Sequence, residues 1–161
     1  MKSSWFRHAV VILSTGLYVG FCPVAPGTAG TLLAVPLFLV LSRLSPLSYG
    51  ITVLAFLFAA AWISGAGEVV FGEKDSGRIV IDEIGGFLVT MGFIPPLPFY
   101  VASGFLLFRL LDVTKPFPIR RLEKLEYGCG VVADDVMAGI YSAGVLHGLF
   151  LFWGNRPPLL P

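Results

Sequence analysis

Charged residues are scarce in this sequence of 161 residues. Asp, Glu, Lys and Arg together account for 13% of it, whereas soluble domains contain about 25%. The net charge is only +1, so the chain lacks the basic excess with which nucleic-acid-binding proteins neutralise phosphates. Hydrophobic residues reach 56% and gather in long runs. This pattern favours a membrane protein over the alternative, a soluble helical bundle.

Cysteine and histidine are nearly absent, with Cys22, Cys129, His8 and His147 as the only examples. Two cysteines are too few for a disulfide framework, and their spacing is unlike that of a zinc site. Two histidines leave little for a histidine-centred phosphatase site, and no short Asp-x-Asp nucleophile motif occurs. The chemistry available to this chain therefore depends mainly on carboxylates.

The apolar runs predict five or six helical segments in a single domain, 1–161. The runs 49–71 and 130–153 reach the length of roughly 20 residues that crosses a bilayer. The others are 7–21, the run from the end of PVAPGTAGT to about residue 44, and the interrupted run 84–111. The predicted fold class is all-α, a multi-pass helical membrane bundle.

Prolines in the run 84–111 determine the predicted topology. A straight helix there would be roughly 42 Å long and would place Asp112 across the membrane from Asp82 and Glu83. Pro95 and Pro96 remove backbone donors and restrict the residues before them, so we predict a broken helical hairpin instead. The hairpin brings Asp82, Glu83 and Asp112 to the same end of the bundle.

The positive charges predict which membrane face carries these acids. If successive helices from the second onward cross the membrane in alternate directions, one face carries 26–31, 82–83, Asp112 and 134–135. Most basic residues share that face: Lys2, Arg7, Lys74, Arg78, Arg109, Lys115, Arg120, Arg121 and Lys124. Only Arg43 and Arg156 fall on the other side. The positive-inside bias then makes the acidic face cytoplasmic and keeps 7–21 from spanning.

Five carboxylates at three positions in the chain form the main candidate site: Asp82, Glu83, Asp112, Asp134 and Asp135. Gathered without a partner, they would repel and raise one another's pKa. A hard divalent cation such as Mg²⁺ removes that repulsion, since it prefers oxygen ligands and keeps water or phosphate in its shell. The alternative is a set of ordinary interfacial acids at helix starts.

Two further segments carry groups suited to phosphate. Pro26, Gly27, Thr28, Gly30 and Thr31 stand directly before a predicted helix, where glycine amides and threonine hydroxyls suit an anion. The alternative is a turn with a threonine cap. In RLLDVTKPFPIRR, Arg109 lies three residues from Asp112 and therefore on the same helical face. Arg109 and Lys115 could hold phosphate, or the segment could be a positive flank with a structural Arg–Asp pair.

Four motifs in order, PGTAGT, IDEIGG, FRLLDVTKPFPI and GVVADDVMAG, resemble the phosphatidylglycerophosphatase A family. The resemblance runs from about residue 15 to 145. It implies a Mg²⁺-dependent phosphatase of the bacterial inner membrane that converts phosphatidylglycerophosphate into phosphatidylglycerol. It also implies metal and catalytic roles for the five acids, a catalytic role for Lys115, and substrate binding by Arg109 and 26–31.

The residues alone leave alternatives open. A metal-bound water or an aspartate could attack the phosphate. A divalent-cation transporter would also carry acids in membrane helices, although some should then lie at mid-depth. A non-catalytic lipid-binding protein would need the basic flank but not five converging acids.

Overall fold

The computed structural model describes residues 4–122 and 127–154, and these residues contain helices and no strands. Lys2, Lys124 and Arg156, which entered the charge argument, lie outside the described residues. The described residues form seven α-helices: α1 Ser4–Ser14, α2 Pro26–Leu41, α3 Pro46–Phe71, α4 Ile81–Thr90, α5 Pro98–Thr114, α6 Ile119–Leu122 and α7 Cys129–Trp153. The all-α fold class is therefore confirmed.

The two membrane-length predictions are confirmed by α3 and α7. The helices have 26 and 25 residues and are apolar over windows long enough to span a bilayer. Ser45 caps α3 by accepting the Ser48 N–H at 3.2 Å, and Pro46 occupies the first helical position, which suits its fixed φ. Leu54, Phe58 and Leu151 are exposed on their outer surfaces. Apolar outward-facing side chains on such long helices indicate a membrane protein.

The N-terminal helix is shorter than the predicted 7–21. α1 ends at Ser14 because Gly16, Leu17 and Tyr18 all adopt positive φ, between 54° and 70°. The Thr15 hydroxyl accepts the Tyr18 N–H at 3.1 Å and stabilises this turn. An 11-residue helix extends about 16 Å, so α1 is too short to cross a hydrocarbon core of about 30 Å by itself.

The helical break around Pro95 and Pro96 is confirmed. α4 ends at Thr90, and α5 begins only at Pro98. The Tyr49 hydroxyl on α3 donates to the Leu88 carbonyl at 2.7 Å and so fixes the end of α4 within the bundle. The chain reverses at this break, so the start of α4 and the end of α5 lie at the same end of the bundle.

Helix α4 lies at the centre, surrounded by α2, α3, α5 and α7. Glycines permit its closest approach: a Cβ at Gly139 would lie 2.5 Å from the Gly86 carbonyl oxygen, and one at Gly86 would lie 2.8 Å from the Asp135 carbonyl oxygen. Ala138 and Ser142 lie one turn apart on α7 and are fully buried, as is typical of small residues where helices pack closely. This backbone contact brings the acid-bearing parts of α4 and α7 together.

Candidate active site

The five carboxylates converge at one end of the bundle. Asp82 and Glu83 lie in the first turn of α4, Asp112 lies near the end of α5, and Asp134 and Asp135 lie in the second turn of α7. Two overlapping groups form, one of Asp82, Glu83 and Asp135 and one of Asp112, Asp134 and Asp135. Within each group the potential ligand oxygens all lie within 4.8 Å of one another. Asp135 belongs to both groups and occupies the centre.

These acids are unusually enclosed. Asp82, Asp112, Asp134 and Asp135 are between 3% and 9% exposed, although aspartate is seldom buried without a partner. Three carboxylate oxygens, Asp82 Oδ1, Glu83 Oε2 and Asp134 Oδ1, are buried without a hydrogen-bond partner among the described residues. Orphaned oxygens of this kind fit a hard cation, which would satisfy them directly.

Burial also raises the pKa of the two acids on α4. Desolvation, followed by the charge of neighbouring Glu83, raises the pKa of Asp82 well above its usual range. Desolvation is also the largest cause of the raised pKa of Glu83, and it outweighs the lowering effect of Arg109. A bound cation would lower the pKa of both acids, because it favours the ionised carboxylates.

Two cations contact the cluster in the part of the chain that the structure describes. Arg109 Nη1 lies 2.6 Å from Asp112 Oδ2 and 3.9 Å from Glu83 Oε1, which confirms the predicted Arg–Asp pair on one helical face. Lys115 Nζ donates to Asp134 Oδ2 at 2.7 Å. Five carboxylates against two cations leave an excess of three negative charges when all the groups are ionised. This excess of negative charge fits a divalent cation.

Lys115 reaches the cluster because of how α5 ends. α5 ends at Thr114, and Lys115 adopts the left-handed conformation with φ 44°, because Pro116 disfavours a helical conformation in the residue before it. The turn directs the chain toward α7, and the Lys115 side chain meets Asp134 there.

The prediction that PGTAGT precedes a helix is wrong. Pro26 is the first residue of α2, so Pro26 to Thr31 form its first turns. The helix starts early because Ala25 adopts a left-handed φ of 49° and proline is well suited to the first helical position. The segment therefore presents a helix N-terminus rather than a loop, and Ala25 provides no side-chain cap for its amides.

Gly27 brings this N-terminus against the acids. A Cβ at position 27 would lie 2.1 Å from Glu83 Oε1 and 3.0 Å from Arg109 Nη2. No side chain fits there, so the α2 backbone contacts both groups. Thr28 is half-buried in the same turn. The first-turn amides of α2 thus lie beside the cluster, where a helix N-terminus favours negative charge.

Thr31 and Gly30, which belong to the same motif, take part in hydrogen bonding and packing within the bundle. The buried Thr31 hydroxyl donates to the Gly27 carbonyl at 2.9 Å, within α2. A Cβ at Gly30 would lie 2.6 Å from Val80 Cβ, so this glycine lets α2 pack against the chain entering α4. Thr31 thus stabilises the first turn of α2 through this hydrogen bond, and Gly30 allows the close packing that places Gly27 beside the cluster.

Sequence reasoning missed Glu68, the lone acid near the end of α3. Glu68 Oε2 accepts the Gly128 N–H and Oε1 accepts the Asp75 N–H, each at 3.0 Å. Gly128, with φ 69°, immediately precedes α7, and a Cβ there would lie 2.3 Å from the Ala61 carbonyl oxygen. Glu68 therefore fixes the start of the helix that carries Asp134 and Asp135. An acid inside a membrane-length apolar run was the available signal.

Known proteins resemble this chain over most of its length. Residues 12–150 match the family model described as phosphatidylglycerophosphatase A. Phosphatidylglycerophosphatase A of Escherichia coli is 34% identical over 150 residues, covering 92% of this chain and 85% of that protein. The protein of the same name from Haemophilus influenzae is 36% identical over 155 residues, with coverage of 92% and 93%.

A third relative carries another name. A Bacteroides thetaiotaomicron protein provisionally named phosphatidylinositol-3-phosphatase is 39% identical over 140 residues, covering 82% of this chain and 87% of that protein. No solved structure matches the chain. The family match and the two phosphatidylglycerophosphatases confirm the resemblance carried by the four sequence motifs. The chain belongs to the phosphatidylglycerophosphatase A family.

Proposed function

We propose that this protein hydrolyses the terminal phosphomonoester of phosphatidylglycerophosphate, giving phosphatidylglycerol and phosphate in phospholipid synthesis. The observation that carries the proposal is the gathering of five carboxylates from three helices at one end of the bundle, with two cations at their edge. Membership in the phosphatidylglycerophosphatase A family supplies the substrate and the reaction class.

The acids are proposed to hold one or two Mg²⁺ ions, with Asp135 shared between the two groups of ligands. The donor set is all oxygen, as magnesium prefers. When bound, the metal would activate a water and neutralise charge on the phosphate. Attack by an aspartate is the alternative route. Trapping a phosphorylated enzyme with labelled substrate distinguishes the two.

Arg109, Lys115 and the start of α2 are proposed to position the phosphate. Arg109 lies against Gly27, and its buried Nε has no hydrogen-bond partner among the described residues. Charged donors of this kind bind phosphate oxygens strongly. The amides of Gly27 and Thr28 add donors from the helix N-terminus. Of the proposed substrate-binding residues, Pro26, Gly30 and Thr31 would act by shaping α2.

The site is proposed to lie at the cytoplasmic face of the inner membrane in a multi-pass protein. Four basic residues lie at the acidic end: Lys74 and Arg78 between α3 and α4, and Arg120 and Arg121 on the short helix α6. Arg43 lies between α2 and α3, at the other end. This distribution supports the orientation. A lipid substrate could then keep its chains in the bilayer while its phosphate reaches the acids.

A transporter is disfavoured by the depth of the acids. Residues 136–154, which make up the rest of α7 and its cap, contain no Asp or Glu. A path for a divalent cation should contain acidic groups at mid-membrane. A lipid-binding protein without catalysis is disfavoured because it would not need the five acids.

Phosphate release from purified protein tests the proposal. The protein in mixed micelles is given phosphatidylglycerophosphate or phosphatidylinositol 3-phosphate, with Mg²⁺ or with a chelator. We expect Mg²⁺-dependent release from phosphatidylglycerophosphate. Faster release from the inositol lipid would instead support the activity named for the Bacteroides relative. Absence of metal-dependent release from either lipid would end the proposal.

A further inference from the structure

An apolar groove of about 570 Å³ runs along the outside of the bundle between α2 and α5. Its size falls in the range of roughly 300–1,000 Å³ that is typical of ligand pockets. Leu32, Val35 and Leu39 line it from α2, and Ala102, Phe105 and Leu106 line it from α5. Leu32 is 62% exposed and Leu106 is 66% exposed. A continuous apolar groove of this kind is suited to a hydrocarbon ligand.

The groove leads to the candidate active site on both helices. On α2, Leu32, Val35 and Leu39 follow Thr28 at intervals of four, seven and eleven residues, which places them on one helical face. On α5, Ala102, Phe105 and Leu106 precede Arg109 by seven, four and three residues. The two lining stripes therefore end at residues beside the phosphate site.

The groove and the helical turn that joins it to the site together match one leaflet. Leu32 and Leu39, which line the groove from α2, are about 10 Å apart at 1.5 Å per residue. From Thr28 at the site to Leu39 the distance is about 16 Å, and one half of a bilayer core is about 15 Å thick. At the site end, Gly27 lies against Arg109. An apolar surface therefore extends from Arg109 and the start of α2 to about the depth of one leaflet.

We propose that this groove binds one acyl chain of the phospholipid whose phosphate occupies the acidic site. The proposal rests on the proposed function, because that function places an anionic headgroup at the end of the groove. Continuity with the site favours this occupant. A second copy of the chain or another membrane helix could also cover the groove. Neither of these occupants would explain why the groove ends at Arg109 and the start of α2.

Tryptophan at position 102 tests the proposal by filling the groove. Ala102 is exposed on α5, so Ala102→Trp should fold, and Ala55→Trp is the matched control at an exposed position on α3 outside the groove. Each variant is assayed with long-chain phosphatidylglycerophosphate and with its deacylated headgroup. We expect Ala102→Trp to raise KM for the long-chain lipid about tenfold, as loss of roughly two buried methylenes would. Its kcat, and turnover of the headgroup, should match those of Ala55→Trp.

A binding readout makes the test independent of turnover. A phosphatidic acid with a photoreactive group in its acyl chain is crosslinked to the protein, and the labelled peptides are identified by mass spectrometry. We expect labelling within 32–39 and 101–106, lost in Ala102→Trp and retained in Ala55→Trp. Labelling there without hydrolysis of any substrate would refute the proposed function and support the groove.

Three results would overturn the groove proposal. The first is equal KM values of the two variants for the long-chain lipid. The second is crosslinking that does not change in Ala102→Trp. The third is a changed oligomeric mass in that variant, which would identify the groove as a contact between copies of the chain.

Discussion

At the scale of single residues, Asp135 is the group whose loss should matter most. It belongs to both groups of acids and is 3% exposed. Asp135→Asn keeps the shape of the side chain and removes one negative ligand, so we expect kcat to fall by about 100-fold or more. The folded state should survive, because repulsion within the cluster decreases. Steady-state phosphate release and a thermal unfolding midpoint measure the two effects.

Glu73→Gln is the control for that substitution, since Glu73 is an exposed acid in the loop after α3. Turnover of this variant should remain close to that of the unmodified protein. Near-normal turnover in Asp135→Asn would instead assign a structural role to Asp135.

Gly27 gives a prediction about close approach. In Gly27→Ala the new methyl group would meet Glu83 Oε1 and Arg109, so either these two side chains or α2 must shift and the site must change shape. We expect the free energy of unfolding to fall by about 1–3 kcal/mol, as in other overpacked sites, and KM for the lipid to rise. Gly50→Ala is the matched control, because nothing lies within 4 Å of a Cβ there. Alanine in that helix should be neutral or stabilising by up to about 1 kcal/mol. Equal behaviour of the two variants would contradict the proposed role of Gly27.

At the scale of helices, local signals in the sequence predicted most elements. The long apolar runs predicted α3 and α7, although α3 begins at Pro46, three residues before the predicted run 49–71. Pro95 and Pro96 predicted the break between α4 and α5. The start of α2 was missed because it depends on left-handed Ala25, a conformation that alanine rarely adopts. The end of α1 was missed for the same kind of reason, since Leu17 and Tyr18 also adopt positive φ.

Glu68 provides the prediction that belongs to the helices. Its carboxylate accepts backbone N–H groups from Asp75 and Gly128 and so joins α3 to the start of α7. Glu68→Ala leaves two donors without this acceptor and should lower the free energy of unfolding by about 1–3 kcal/mol. Glu68→Gln retains one carbonyl oxygen and should recover part of the loss. Thermal unfolding of both variants measures it. Equal stability of the alanine variant and the unmodified protein would show that the link is dispensable.

At the scale of the whole molecule, the predicted site depended on topology more than on any single motif. The hairpin prediction allowed acids about 50 residues apart to be placed at one end, and the structure brings them there. What the sequence did not indicate is which helices pack together behind the site. Small residues recur along α7, Gly139 among them, and are typical of a close-packing face. Nothing along the chain identifies Gly86 as the partner of Gly139, or Val80 as the partner of Gly30.

Membrane orientation can be tested with the two native cysteines. Cys22 and Cys129 are free and exposed, and they lie just before α2 and at the start of α7, both at the acidic end. We expect a membrane-impermeant maleimide to label them in inverted inner-membrane vesicles but not in intact spheroplasts. Leu44→Cys in a background with both cysteines changed to serine places a thiol between α2 and α3, and it should show the opposite pattern. Labelling of all three positions from one side would refute the proposed topology.

The central claim is that acids from α4, α5 and α7 form one divalent-cation site, and direct metal binding tests it. Mn²⁺, a paramagnetic substitute for Mg²⁺, is titrated against the purified protein, and free Mn²⁺ is followed by electron paramagnetic resonance. We expect saturable binding of one or two ions per chain. We also expect Asp82→Asn, Asp112→Asn and Asp135→Asn each to weaken binding at least about tenfold, whereas Glu73→Gln should not. Binding that is absent from the unmodified protein, or unchanged in all three asparagine variants, would contradict it.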